Sequence, residues 1–194
     1  MAGVIRPGMT IYDVGANAGF YTLLFARLTG PLGRVIAFEP FPENAANLLD
    51  HISMNRLDNV ILVQAPLSAR RELASFHAGA SSSMGALSEV ETPLRMLTVT
   101  IDELIASYGV PQPDVVKMDV EGAESDVLRG AKQLLAGRNA VWFISLHGEA
   151  QRRACTTLFT DAGYHLSSLV GNGNTSWTDA ADEIIAMPEA RKQG

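Results

Sequence analysis

Asp13-Val14-Gly15-Ala16-Asn17-Ala18-Gly19-Phe20 is the stretch on which the fold turns. An apolar run of strand length, Thr10 to Val14, leads into it. A stretch of helical period leads out, Gly19 to Leu28, with Tyr21, Leu24, Phe25 and Leu28 on one face. The turn Gly30-Pro31-Leu32-Gly33 stops this helix, and Arg34 to Phe38 reads as a second strand. Strand, helix and strand within roughly thirty residues is a βαβ unit, whose two strands run parallel.

The alternation continues outward. Glu43 to Met54 carries Ala46, Leu49 and Ile52 at helical intervals, and Asn59 to Gln64 supplies a third strand. Arg70 to Pro93 breaks the pattern with a short alternating piece at Leu73 to His77 and a Ser-, Gly- and Ala-rich stretch from Ala78 to Glu91. We read residues 70–93 as an insertion carrying a mobile loop. Leu97 to Ile101 is expected to be a short strand, followed by a helix with Asp102 as its N-cap. Asp114 to Val120, Ala140 to Leu146 and Tyr164 to Leu169 read as later strands, with helices at Ala123 to Leu135 and Gln151 to Ala162. A Gly171-Asn172-Gly173-Asn174 turn before a last strand, Glu183 to Met187, predicts a terminal hairpin. The expected architecture is a single α/β domain over 1–194, a mostly parallel sheet between two helical layers.

Composition narrows the function. Of 194 residues, 47% are hydrophobic and 19% charged, so a core can form and a disordered or low-complexity chain is excluded. The net charge of −6 and a pI near 5.2 disfavour nucleic acid as a partner. No run approaches the ~18 uncharged apolar residues of a membrane span. Met1 to Pro7 lacks the cationic flank and the apolar run of a signal peptide, so a cytoplasmic location is expected. A single cysteine, Cys155, allows no internal disulfide and reads as a core residue beside Leu158 and Phe159.

Four segments carry the chemistry. Glycines at 15 and 19 lie where ligands of open α/β sheets bind, at the carboxyl ends of the strands. The dinucleotide fingerprint needs glycine at 15, 17 and 20; Asn17 and Phe20 stand there instead, so a nucleoside without a pyrophosphate fits better than NAD. A tight strand-to-helix turn would account for the glycines alone. Glu39-Pro40, at the end of the second strand, places a carboxylate where it can accept from both ribose hydroxyls and repel a 2′-phosphate. In Asp114 to Glu124, Val116, Met118 and Val120 alternate with Lys117, Asp119 and Glu121, which are expected to face one side, pair with one another and line the cleft. His147, at the end of the next strand, sits beside Asp119 if the strands are neighbours, and titrates where a general base works. His51, His77 and His165 join no such group. A metal site of Asp119, His147 and Glu149 lacks a ligand from a third strand end, and no metal is expected.

Asp13 to Tyr21, Phe38-Glu-Pro-Phe-Pro-Glu-Asn44, Thr100-Ile-Asp-Glu-Leu104 and Lys117-Met-Asp-Val-Glu-Gly-Ala-Glu124, in this order and spacing, resemble the FkbM family of S-adenosylmethionine-dependent methyltransferases. The resemblance covers roughly Pro7 to His147, and its last segment is the most specific to the family. It implies the class I methyltransferase fold, a Rossmann-like three-layer sandwich with a seven-stranded sheet whose last strand is antiparallel. It implies S-adenosyl-L-methionine as cofactor, with Gly15, Asn17 and Gly19 shaping the pocket for its methionine part, Asp13 orienting that loop, and Ala16, Tyr21, Pro40 and Asp119 also contacting the cofactor. Glu39 would hold the ribose, and the turn with Ala65, Pro66 and Ser68 would lie along the adenine. The expected reaction is O-methylation of a hydroxyl on a sugar or natural product, with Asp119 and His147 as bases supported by Lys117 and Glu121. Alternatives are N-methylation, metal-assisted methylation of a phenol, and a non-catalytic cofactor-binding or partner-binding module. Two departures stand out. Relatives often carry Glu where this chain has Ser145. The chain begins a few residues before its first strand, which implies an open cofactor site or one completed by a partner subunit, such as a homodimer. The Ala78 to Glu91 loop and the Gly171 to Trp177 turn are expected to select the acceptor.

Overall fold

A computed structural model describes residues 1, 3–78, 85–88, 92–169 and 182–189. β1 (Thr10–Val14) and β2 (Arg34–Phe38) are buried along nearly their whole length, as strands covered on both faces must be. α1 (Phe20–Thr29) connects them, and α2 (Pro42–Met54), with proline in its first turn, leads to β3 (Val60–Val63). β4 (Leu73–Ala78), β5 (Gly85–Ser88) and β6 (Arg95–Leu97) follow, then α3 (Ile101–Tyr108) and β7 (Val115–Met118). α4 (Glu124–Arg129), α5 (Lys132–Gly137), β8 (Val141–Ser145), α6 (Glu149–Asp161), β9 (Tyr164–Ser168) and β10 (Glu183–Pro188) complete the described chain.

The main sheet has seven strands in the order β3-β2-β1-β7-β8-β10-β9. Its pairs are parallel except that β10 runs antiparallel to both neighbours, β8 and β9. This is the expected three-layer architecture with an antiparallel last strand. On one face Tyr12, Phe38, Met118, Trp142 and Ile184 pack against Leu128, Leu135 and Phe159 of the covering helices. On the other, Ile11, Val35, Val115 and Phe143 pack against Phe25 and Ala26 of α1. The order of strand addition reverses at β1, which lies between β2 and β7 and is parallel to both, and a crevice opens at the carboxyl ends there. Among the described residues no helix is long and apolar enough to cross a membrane.

Three expectations are corrected. The alternating piece at Leu73 to His77 is not among them: it forms β4, which pairs with β5 and β6 in a separate antiparallel sheet, ordered β5-β4-β6. The rest of the Ala78 to Glu91 loop, 79–84 and 89–91, and the Gly171 to Trp177 turn lie outside the described residues. The strand expected at Leu97 to Ile101 ends at Leu97, leaving one bridge from Val99 to Leu67. α3 is capped by Thr100, whose hydroxyl accepts from the Glu103 N–H at 3.0 Å, because Thr100-Ile-Asp-Glu103 has the spacing of a capping box. Asp102 instead accepts from the N–H groups of Gln133 and Leu134 at the start of α5. The single helix expected over Ala123 to Leu135 is two, parted at Gly130, where a Cβ would lie 2.1 Å from the Ser68 carbonyl oxygen and the Asp102 N–H reaches the Gly130 carbonyl.

Candidate active site

The loop after β1 is built by close backbone approach. Gly15 adopts a φ of +75°, and a Cβ there would lie 1.9 Å from the carbonyl oxygen of Asp119, so the loop can press against the end of β7 only with glycine. Asn17 also sits in the left-handed region, at φ +51°, which asparagine tolerates because its side chain bonds locally; here its Oδ1 accepts from the Ala18 N–H at 2.6 Å. His51 reaches over from α2, its Nδ1 2.7 Å from the Ala18 carbonyl.

That backbone turns the Asn17 N–H onto Glu39, whose Oε2 accepts it at 2.7 Å. Oε1 accepts from the Phe41 N–H at 2.9 Å and from the Asn44 amide at 3.4 Å. Glu39 is 5% exposed. Burial pushes its pKa up, against the hydrogen bonds from Phe41, Asn17 and Asn44. A fixed carboxylate with lone pairs to spare thus lines the crevice at the end of β2.

Beneath the loop, the β1/β7 register sets Asp13 opposite Lys117. The Lys117 ammonium donates to the Gly15 carbonyl at 2.9 Å and lies 3.3 Å from Asp13 Oδ1. Thr22 of α1 donates to Asp13 Oδ2 at 2.6 Å, and the Tyr21 ring lies under the ammonium at 5.3 Å. Burial raises the Asp13 pKa, and Lys117 and Thr22 pull it back. Lys117 therefore braces the loop. It does not pair with Asp119 or Glu121 as expected, because regular strand ends at Met118 and the next turn, with Glu121 at φ +53°, redirects those side chains.

Asp119 and Glu121 meet His147, which follows β8. Its Nε2 is 3.6 Å from Asp119 Oδ1 and 3.5 Å from Glu121 Oε2, and its Nδ1 is 2.6 Å from Glu124 Oε1. Burial alone would lower the imidazole's pKa, but Glu124, Glu121 and Asp119 together carry it above its ordinary value. One polar atom from each of Asp119, Glu121 and His147 lies within 4.8 Å of the others, a spacing exposed acidic groups often reach without an ion. Glu149 does not join them and pairs with Arg153 on α6.

The crevice, a cavity of about 280 Å³, is walled by Gly15, Ala16, Asn17, Tyr21, Glu39, Pro40, Ala65, Lys117, Asp119 and Glu121 among the residues expected from sequence. Asp13 and Gly19 lie behind the loop, and His147 stands beside the wall. Ser68 is corrected: it is buried, its N–H donates to the Val99 carbonyl, and it does not line the crevice. Phe76 of β4, Phe38, Phe20 and Asn44 also line it and were not expected. The alternation at Leu73 to His77 was the available signal for Phe76. Glu124 stands in the quoted Lys117 to Glu124 segment, yet nothing in its residue type foretold contact with a histidine 23 residues on.

Comparison with known proteins fits this geometry. Residues 13–174 match the family described as the methyltransferase FkbM domain. The hexuronic acid methyltransferase AglP of Haloferax volcanii is 31% identical over 153 residues, covering 78% of this chain and 62% of that protein. The 2-O-methyltransferase NoeI of Sinorhizobium fredii is 30% identical over 149 residues, covering 67% and 60%. The chain thus spans about three fifths of these relatives' length. The crystal structure of methyltransferase FkbM from Methylobacillus flagellatus superposes with a TM-score of 0.67 at 17% identity, over 95% of this chain and 48% of that one, and shares the class I fold. With residues 13–174 matched, and with the glycine loop, the Glu39 carboxylate and the β7 turn in one crevice, this chain belongs to the FkbM methyltransferase family.

Proposed function

We propose that this chain is an S-adenosylmethionine-dependent O-methyltransferase acting on a hydroxyl of a sugar or natural product. One observation carries the reading: a buried carboxylate, Glu39, clamped to the Asn17 N–H at the switch point of the sheet. The residues present suit the cofactor. Glu39 has the acceptors for two ribose hydroxyls, and Phe38, Pro40, Pro66, Leu67 and Phe76 offer an apolar compartment for a purine. The Gly15 to Asn17 loop and Asp119 border the remaining space for the amino-acid part. When bound, the cofactor supplies a methyl group already activated by a sulfonium.

The chain has two tasks left: to hold the acceptor oxygen in line and to remove its proton. His147 stands beside the cavity with Nε2 toward Asp119 and Glu121, in position to take that proton. Asp119 both lines the cavity and stabilises the imidazolium so formed. Lys117 belongs to the loop's support and takes no part in proton transfer. The name of AglP, a hexuronic acid methyltransferase, supports a sugar acceptor, and that of NoeI, a 2-O-methyltransferase, supports transfer to oxygen. A cytoplasmic setting and a small-molecule acceptor complete the reading.

Calorimetric titration with S-adenosylmethionine, S-adenosylhomocysteine and NAD tests the cofactor. Binding of the first two and not the third is expected; binding of NAD alone would refute the reading. Methyl transfer from labelled cofactor to a panel of hexuronic acids and other glycosides then tests the acceptor class.

A further inference from the structure

Glu124 opens α4 with no exposed surface, yet the reaction as derived so far makes no use of it. Its Oε1 meets Nδ1 of His147 at 2.6 Å and accepts from the Gly122 N–H at 3.0 Å. Its Oε2 is buried with no hydrogen-bond partner among the described residues. A buried carboxylate with one oxygen idle destabilises a fold, so its presence asks for a function.

We propose that Glu124 is a positioning residue for methyl transfer: it holds His147 as the Nδ1–H tautomer and leaves the Nε2 lone pair free to take the acceptor's proton. The proposal rests on the reading of the crevice as a methyltransferase site and names what orients its base.

Geometry carries it. An ionised carboxylate only accepts, so the 2.6 Å contact requires the proton on Nδ1 and leaves Nε2 bare in the neutral ring. Asp119 and Glu121, at 3.6 and 3.5 Å from Nε2, stand near it without closing a short hydrogen bond, so the lone pair stays available. The charged groups facing the ring are Glu124 from α4, Glu121 from the turn and Asp119 from the end of β7. From α6 come two neutral groups. Gln151 accepts from the Ser125 N–H and donates to the Gly122 carbonyl, tying the turn to α4. The Cys155 thiol is buried, its pKa pushed up to about 12 by that burial and by Glu124. In the transfer step the acceptor's O–H proton moves to Nε2 as the O–CH3 bond forms and the S–CH3 bond breaks. The Nδ1 proton stays against Glu124, whose charge balances the imidazolium.

The test is nitrogen-15 NMR of the histidine side chains in the whole protein, with Glu124→Gln as the variant. Glutamine keeps an oxygen for Nδ1–H and removes the charge. In the wild type the neutral ring of His147 is expected to carry its proton on Nδ1, with a pKa above the ordinary value of about 6.5. In Glu124→Gln that pKa is expected to fall toward the ordinary imidazole value, and the acid limb of the kcat profile to follow it, with cofactor affinity unchanged. A neutral ring protonated on Nε2, or a pKa the substitution does not move, overturns the proposal. So does transfer undiminished in His147→Ala. Should Glu124→Gln fail to fold, the wild-type tautomer alone decides. The NMR reading needs neither cofactor nor acceptor. Failure of the methyltransferase reading would instead appear as absent S-adenosylmethionine binding with the His147 tautomer as stated.

Discussion

Replacing Glu39 with glutamine isolates the contact on which the cofactor site depends. The carboxylate receives the N–H groups of Asn17 and Phe41 on different oxygens, at 2.7 and 2.9 Å. Glutamine has one oxygen and one NH2, so whichever way it turns, a donor faces a donor and one of the two backbone groups loses its acceptor. A charge-assisted bond of this kind contributes ~1.5–3 kcal/mol, and the ribose loses an acceptor on the same side. Affinity for S-adenosylhomocysteine is therefore expected to fall roughly 10- to 150-fold by calorimetry. A double-mutant cycle assigns the loss to the ribose. A 2′-deoxy analogue should bind the wild type more weakly than its parent, whereas Glu39→Gln should discriminate the two far less. The reasoning is refuted if Glu39→Gln binds within about threefold of the wild type, a difference below ~0.7 kcal/mol. It is equally refuted if deoxygenation weakens binding by the same factor in both proteins.

Lys117→Met strands the buried Asp13 carboxylate and should cost ~3–5 kcal/mol, lowering Tm by roughly 6–20 °C; Asp13→Asn in the same chain should restore most of the loss, and a scanning calorimeter reads both. Gly15→Ala must push the loop away from Asp119, so S-adenosylhomocysteine affinity should fall more than about tenfold, whereas Gly3→Ala, with open space around it, should leave affinity and Tm unchanged. The raised pKa of His147 favours the folded state below its ordinary value of about 6.5, and that contribution is lost as pH rises through the folded pKa. Asp13 and Glu39, also raised, act in the same direction as pH rises above the ordinary carboxylate range. Urea titrations should find the ligand-free protein less stable on the alkaline side of that window, and a rise in stability there would contradict the contacts drawn around His147.

Much of this was legible in the sequence where one local rule governs. The βαβ order, the antiparallel last strand and the loop from Asp13 to Phe20 follow from apolar runs, helical period and turn residues, and the main sheet bears them out. Legibility ended where partners are distant. Lys117 reads as one of three ionisable groups on one side of a strand, and only the β1/β7 register reveals that it faces Asp13. Asp102 looks like an N-cap and serves a different helix, α5, because α3 and α5 pack side by side. The break at Gly130 depends on the nearby Ser68 carbonyl, which no periodicity encodes. Phe76 belongs to a small sheet whose placement over the crevice is set by tertiary packing.

The Asp13 to Lys117 contact also polices how the strands come together during folding. Were β7 to slide along β1 by one residue, every β7 side chain would swap layers. The ammonium would then enter the hydrocarbon around Tyr12 and Trp142, and the aspartate would be left alone beneath the first helix. Either stranded charge would cost more than the mispaired strands could recover. Two ions invisible from outside the molecule thus act as an alignment key, and the seam they guard is the one from which the crevice is built.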